Sequence, residues 1–80
     1  VKVIDYGQGN YIDRELVLVK VKAEPQNRAE ICQMAELFRA KVVDVQPDSL
    51  TIEITGGESK IEKFIELMGG FGVLDLTRTG

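Results

Sequence analysis

The residues of this sequence that could do chemistry are mainly carboxylates, and one set of them recurs along a single predicted helix. Glu58, Glu62 and Glu66 are spaced four residues apart, which places them along one edge of that helix. Grouped carboxylates can bind a hard cation such as Mg²⁺ or Ca²⁺. The same spacing is typical of a solvated helix edge, and we expect that role here.

Nucleophilic and soft-metal chemistry is limited by the side chains that the sequence lacks. There is no histidine, and Cys32 is the single cysteine. This excludes Ser-His-Asp and Cys-His mechanisms, and one thiol without imidazoles cannot form a zinc site. Cys32 lies at the edge of a predicted helix stripe without an activating neighbour, so we expect a packed structural thiol. We therefore predict no catalytic, cofactor-binding or metal-binding residue, and a chain that is not an enzyme.

Glycines occur in two places where phosphate binding could be considered. Gly7 and Gly9 form a GxG without a third glycine and without a following helix, which is a weak nucleotide signal. Gly69, Gly70 and Gly72 follow a predicted helix, whereas a phosphate cradle needs a helix N-terminus. We interpret Gly69-Gly70 as a helix stop with a left-handed C-cap.

Length and charge restrict the class of protein and its partners. Eighty residues form at most one domain, and the formal net charge is −3. An acidic balance argues against nucleic acid, whose phosphates attract clustered Lys and Arg. No apolar run is long enough to span a membrane, and no signal peptide is recognisable. We expect no membrane partner and a cytoplasmic location, or a plastid or mitochondrion in a eukaryote.

The elements that would position these residues alternate between strands and helices. Valine-rich or alternating segments predict the strands. Apolar residues that recur three and four positions apart predict the helices. Asn27 is the expected N-cap of the first helix, with Glu30 in capping-box position. Pro47-Asp48 is the expected turn of a hairpin. The predicted elements are strand Glu15–Ala23, helix Asn27–Arg39, strands Lys41–Gln46 and Leu50–Thr55, helix Glu58–Met68 and strand Val73–Thr77.

This order is β-α-β-β-α-β, which predicts an α+β, ferredoxin-like fold. Right-handed crossovers would place both helices on one face of a four-stranded antiparallel sheet. The other face would be left to water or to a partner. Strand alternation predicts aliphatic side chains on that open face, and such clusters mark interaction sites. The candidate partner-facing residues are Leu16, Leu18, Val42, Thr51 and Val73.

Several strings in the sequence are more specific than its pattern of elements. Glu36–Val45 contains FRAKVVDV, Leu50–Gly56 reads LTIEITG, and the chain closes with RTG at Arg78–Gly80. With Arg14–Leu16 and Val19–Val21, they occur in the order and spacing of a known family. From about Tyr11 to Gly80, the chain resembles the regulatory (small) subunit of acetohydroxyacid synthase, also called acetolactate synthase.

The resemblance implies a division of the chain and a role. Residues 14–80 would be the C-terminal ACT-like regulatory domain, and residues 1–13 a linker or the tail of a preceding ACT domain. The chain would bind and activate the catalytic subunit of branched-chain amino-acid biosynthesis. Thiamine diphosphate, Mg²⁺ and FAD would belong to that catalytic partner. A homo-oligomer through the open sheet face is also expected.

Other functions stay open on the sequence alone. The main alternative is an ACT-like module that senses an amino acid as a dimer. A metal-responsive regulator domain of the same topology would need histidines. An acylphosphatase-like enzyme would need a phosphate loop with a poised arginine and asparagine. The terminal Arg78-Thr79-Gly80 could be a flexible tail or a docking element.

Overall fold

The computed structural model describes residues 14–79, which form one antiparallel sheet covered by two helices. Residues 1–13, expected from the sequence to be a linker or the tail of a preceding domain, lie outside the described residues, and with them the Gly7/Gly9 stretch. Neighbouring strands follow the order β2-β3-β1-β4, which confirms the predicted ferredoxin-like fold. The elements are β1 Glu15–Lys22, α1 Arg28–Leu37, β2 Lys41–Gln46, β3 Ser49–Gly56, α2 Glu58–Gly69 and β4 Val73–Arg78.

The hydrophobic core lies between the helices and the two central strands. Because side chains alternate along a strand, β1 and β3 each turn every second residue towards the helices. The ring of Phe64 from α2 is fully buried and meets the half-buried ring of Phe38 edge to face, with centroids 5.2 Å apart. The remaining buried apolar residues are Val17, Val19, Val21, Ala23, Ile31, Ala35, Leu50, Ile52, Ile54, Ile61 and Met68.

The hairpin between β2 and β3 has the shortest connection in the sheet. Gln46 pairs with Ser49, so Pro47 and Asp48 alone form the loop, as the sequence predicts. Proline presets the backbone angle that the first loop position needs. The Asp48 carbonyl also accepts a hydrogen bond from the amide of Ala23 at 2.9 Å, which ties the turn to the end of β1.

Both edge strands contain a β-bulge. In β2 the pairing with β3 passes from Val42 directly to Asp44, which leaves Val43 as the extra residue. In β4 the pairing with β1 passes from Val73 to Asp75, which leaves Leu74 as the extra residue. A bulge shifts the alternation of side chains by one position. The faces of these edge strands therefore differ from those expected for a regular strand.

The first helix begins and ends differently from the expected capping. Asn27 has helical backbone angles and makes no side-chain capping hydrogen bond, so the capping box with Glu30 is not formed. At the other end, Arg39 has φ +57°. The amides of Arg39 and Ala40 donate to the carbonyls of Glu36 and Ala35, at 2.9 and 2.8 Å. This is a Schellman motif with arginine at the left-handed position that glycine usually occupies.

The second helix runs to Gly69 and is capped by Gly70, whose φ of −66° is right-handed. The left-handed C-cap expected at Gly69-Gly70 is therefore wrong. The left-handed glycine is Gly72, with φ +111°, just before β4. Its carbonyl accepts a hydrogen bond from the amide of Lys22 at 2.8 Å, which fixes the turn against β1.

Candidate protein-docking surface

The open face is the side of the sheet turned away from both helices. It is identified by register, since directly paired residues on antiparallel strands point to the same side. On the central strands it consists of the residues that alternate with the buried ones. On the edge strands it consists of residues paired with these. The open face comprises Leu16, Leu18, Lys20 and Lys22 of β1, Ser49, Thr51, Glu53 and Thr55 of β3, Lys41, Asp44 and Gln46 of β2, and Asp75 and Thr77 of β4.

Two leucines form the apolar part of the open face. Leu16 pairs with Thr55, and Leu18 lies between Glu53 of β3 and Thr77 of β4. Both leucines are half-buried although no helix covers this side. They lie two positions apart on one strand and therefore form a short aliphatic strip in the middle of the sheet. The expectation that Leu16 and Leu18 occupy this face agrees with the register.

Thr51, the third candidate, also lies on the open face, next to a row of charges. It pairs with Lys20 on one side and with Asp44 on the other. Lys20 in turn pairs with Asp75 of β4. Across the sheet this row therefore reads Asp44, Thr51, Lys20 and Asp75, with the basic side chain next to an acidic one. The open face is an aliphatic strip beside charges of both signs, which is more polar than the sequence suggested.

The expected placement of Val42 and Val73 on the open face is wrong. Val42 pairs with Ile52, and Val73 pairs with Val21, and both of those partners are buried on the helix side. The two β-bulges are the physical reason, because each shifts the alternation between the valine and the next aspartate of its strand. Both valines remain more than a third exposed because they lie on edge strands.

An ion-pair network near the end of β4 was not foreseen. Arg78 donates from Nε to Glu15 of β1 at 2.8 Å and from Nη1 to Glu62 of α2 at 3.0 Å. Two hydrogen bonds raise the pKa of the Arg78 guanidinium further above its ordinary value, with the larger contribution from Glu15 and the smaller from Glu62. The guanidinium therefore stays charged throughout the pH range in which proteins fold.

This network joins three elements that are distant in sequence, so no local spacing could have indicated it. Arg78 belongs to β4 and not to a flexible tail, which settles that alternative for this residue. Glu62, the middle one of the three carboxylates spaced along α2, is ion-paired with Arg78. Within residues 14–79, no group of three or more metal-ligating side chains comes together.

The expected packing of the Cys32 thiol is wrong, because Cys32 is exposed on α1. The apolar stripe of α1 passes through Ile31 and Ala35, and Cys32 lies just outside it.

Among the described residues, neither helix has the length and hydropathy required to cross a bilayer.

A family comparison extends these observations. The chain matches the model of the family described as the small subunit of acetolactate synthase over residues 14–80. It is 46% identical over its whole length to the "Probable acetolactate synthase small subunit" of Methanothermobacter thermautotrophicus, covering 48% of that relative. It is 44% identical to the acetolactate synthase small subunit of Bacillus subtilis, over 99% of this chain and 46% of that relative.

A solved structure from the same family is also similar to this chain. The acetolactate synthase small subunit from Thermotoga maritima is 43% identical in sequence and superposes with a TM-score of 0.77. The match covers 84% of this chain and 41% of that one. The chain therefore spans less than half the length of these relatives.

The fold and the register define a ferredoxin-like α+β domain whose sheet is covered on one side. The family match over residues 14–80, together with relatives that are more than 40% identical, then gives the family. The chain belongs to the acetolactate synthase small-subunit family.

Proposed function

We propose that this chain is a regulatory domain that binds the catalytic subunit of acetolactate synthase and raises its activity in branched-chain amino-acid biosynthesis. The match to the small-subunit family over residues 14–80 is the observation that carries the proposal. Residues 14–80 are taken as the C-terminal ACT-like domain, and residues 1–13 as a linker or the tail of a preceding ACT domain. Thiamine diphosphate, Mg²⁺ and FAD are assigned to the catalytic partner, and the cytoplasm or an organelle matrix to the complex.

The proposed docking surface is the central strip of the open face. Leu16 and Leu18 supply the apolar contact, and Thr51 with its charged neighbours supplies the polar rim. Interfaces of this kind commonly have a small apolar centre surrounded by polar groups. Activation follows if the catalytic subunit binds this surface more tightly in its active conformation than in its inactive one.

The experiment measures the turnover of the purified catalytic subunit with increasing amounts of the 80-residue chain. A saturable increase is expected. Burying one leucine contributes about 1.5–3 kcal/mol, so Leu18→Lys raises the concentration needed for half-maximal stimulation roughly tenfold or more. Leu67→Lys is the matched control, since Leu67 is 40% exposed on α2, away from the open face.

The outcomes separate the proposal from its competitors. No stimulation and no binding at high micromolar concentration overturns it. An equal loss for Leu18→Lys and Leu67→Lys overturns the docking surface. Self-association through the open face is the competing use of the same residues, and it requires Leu18→Lys to dissociate a homo-oligomer. Calorimetry with valine, leucine and isoleucine tests the amino-acid sensor alternative, which heat of binding at micromolar ligand would favour.

A further inference from the structure

The outer part of β4 exposes three aliphatic side chains beside α2. The exposed fractions are 36% for Val73, 56% for Leu74 and 39% for Leu76. Val73 and Leu76 pair with the buried Val21 and Val19, so both lie on the helix side of the sheet. α2 packs against the central strands β1 and β3 and leaves these side chains of β4 partly uncovered. Val73, Leu74 and Leu76 are termed the β4 patch.

The edge of α2 that faces the β4 patch is acidic. Glu62 shows the direction of this edge, because its carboxylate reaches Arg78 of β4 at 3.0 Å. Glu58 and Glu66 lie one turn before and one turn after it, and all three carboxylates are exposed. Within residues 14–79, Glu62 is the only one of the three in an ion pair. Arg78 also pairs with Glu15, so the edge keeps a net negative charge.

The bulge in β4 disfavours a further strand as the partner of this surface. Leu74 is the extra residue, which interrupts the regular backbone spacing that a neighbouring strand requires. A helix needs no backbone pairing and makes its contacts through side chains. Helix residues four positions apart are separated by about 6 Å along the axis. A second helix lying along α2 would therefore match the spacing of Glu58, Glu62 and Glu66 with its own side chains four residues apart.

We propose that the β4 patch and the acidic edge of α2 together bind an amphipathic helix of another protein chain, one with an aliphatic stripe beside a row of Lys or Arg. The aliphatic stripe packs on Leu74 and Leu76, and the basic side chains lie opposite Glu58 and Glu66. Complementary charges around an apolar contact select the partner and speed its association. This surface is on the helix side of the sheet, so the proposal does not rest on docking through the open face.

The corresponding surface beside α1 lacks this combination. Val42 and Val45 of β2 are also exposed on the helix side. The edge of α1 that faces them is marked by Arg28, whose guanidinium donates to the carbonyl of Gln46 at the end of β2. Cys32 follows one turn later. A cation and a thiol thus replace the carboxylates of α2, and this surface would not attract a basic helix.

The test is fluorescence anisotropy of a labelled synthetic peptide titrated with the 80-residue chain at low ionic strength. The probe is an alanine-based helix of about 18 residues, with one leucine stripe and lysines four positions apart. Saturable binding in the micromolar range is expected. Leu74→Asp and the double variant Glu58→Lys/Glu66→Lys should each raise the dissociation constant about tenfold or more. The double variant should also bind a probe with glutamates in place of the lysines more tightly than the parent does.

Matched controls on the other helix and edge strand separate this contact from general electrostatics. Glu30→Lys/Glu36→Lys makes the same change of net charge on exposed positions of α1, and Val45→Asp makes the same kind of apolar change on β2. Both should leave the dissociation constant within about threefold of the parent. Leu18→Lys on the open face should also leave it unchanged, which distinguishes a failure here from a failure of the proposed activation.

Amide chemical shifts of the unmodified chain give a measurement that does not depend on how well a variant folds. On addition of the probe, the shifts should be largest around Glu66, Leu74 and Leu76. The absence of saturable binding at millimolar concentration overturns the proposal, and so do shifts centred on the open face. Equal weakening by the α1 and α2 double variants does the same. A proline-interrupted probe that binds as tightly overturns the helical partner. Self-association of the chain that Leu74→Asp abolishes would assign the patch to a second copy instead.

Discussion

Thr79 and Leu16 are joined by three hydrogen bonds across the edge of the sheet. The Thr79 Oγ1 accepts from the Leu16 amide at 3.1 Å and donates to the Leu16 carbonyl at 2.8 Å. The Thr79 amide donates to the same carbonyl at 3.0 Å. Together with the ion pair between Arg78 and Glu15, these bonds fasten the end of β4 to the start of β1. Because Leu16 is a proposed docking residue, this fastening also fixes the position of the docking strip.

Removal of the Thr79 hydroxyl should loosen this corner. Thr79→Ala loses both side-chain bonds and keeps the backbone bond, so we expect a loss of about 0.5–1 kcal/mol in the free energy of unfolding. Faster amide hydrogen exchange at Leu16 should accompany it. Urea titration and exchange NMR measure the two effects. Thr79→Ser keeps the hydroxyl and should stay close to the parent, and an equal loss for Ser and Ala would contradict the role of the hydrogen bonds.

The predictable and unpredictable parts of this structure differ in physical origin. The helix-facing sides of β1 and β3 could be predicted from alternation, because Val17, Val19 and Ile52 are buried in the core. Burial is complete there, so the sequence pattern is strong. The edge strands carry weaker constraints, because every residue of β2 and β4 is exposed. A one-residue bulge in such a strand leaves no mark in the hydrophobic pattern.

That limitation explains the two errors in the candidate site. Regular alternation would place Val42 with Asp44, and Val73 with Asp75, on one face because each pair is two residues apart. Both pairs span a bulge. Leu16, Leu18 and Thr51 were placed correctly because they lie on the regular central strands. The Arg78 network could not be predicted from the sequence for another reason. Its two carboxylates are 63 and 16 residues away along the chain.

The left-handed backbone at Arg39 gives a prediction of increased stability. For a residue with a Cβ the left-handed region costs about 1–2 kcal/mol, and glycine avoids that strain. Since the Schellman hydrogen bonds involve only backbone atoms, Arg39→Gly should keep them. The larger conformational entropy of glycine in the unfolded chain offsets part of this gain. We expect a net increase of about 0.5–1 kcal/mol in the free energy of unfolding.

Chemical denaturation of Arg39→Gly and Arg39→Ala makes the comparison. Arg39→Ala keeps the Cβ and its strain, so its midpoint should stay near that of the parent. Arg39 is exposed, which makes a loss of packing unimportant in either variant. If both variants shifted the midpoint equally, the arginine side chain and not the backbone angle would be responsible.

Two glycines at the end of α2 should respond oppositely to alanine. Gly72 has φ +111°, and its nearest neighbour to a new Cβ would be the Cβ of Lys22 at an ordinary 3.6 Å. Strain of the backbone alone should therefore destabilise Gly72→Ala, by about 1–2 kcal/mol. Gly69 has no atom within 4 Å of a new Cβ.

Gly69→Ala is thus the matched control, since it changes the same group three residues earlier. It lies in the last turn of α2, where alanine stabilises a helix by up to about 1 kcal/mol relative to glycine. Thermal and urea unfolding should show midpoints on opposite sides of the parent. Two shifts of the same sign would contradict the assignment of the left-handed turn to Gly72.

The packing of Phe64 carries a large share of the stability of this small domain. Phe64 is fully buried, it is the largest side chain in the core, and its ring meets that of Phe38. Phe64→Ala should cost about 3–5 kcal/mol because it removes the transfer free energy and leaves a cavity. A domain of this length has a total stability of only about 4–12 kcal/mol. The variant should therefore lose most of its cooperative thermal transition.

Phe64→Leu tests the same position less severely and keeps the prediction measurable if the alanine variant does not fold. It retains most of the apolar volume and loses the edge-to-face contact, so about 1–2 kcal/mol is expected. Leu67→Ala on the exposed side of α2 should stay within about 0.5 kcal/mol of the parent. Urea titrations give the three values. A cost at Phe64 no greater than that at Leu67 would mean that the core is not centred on the contact between α2 and the sheet.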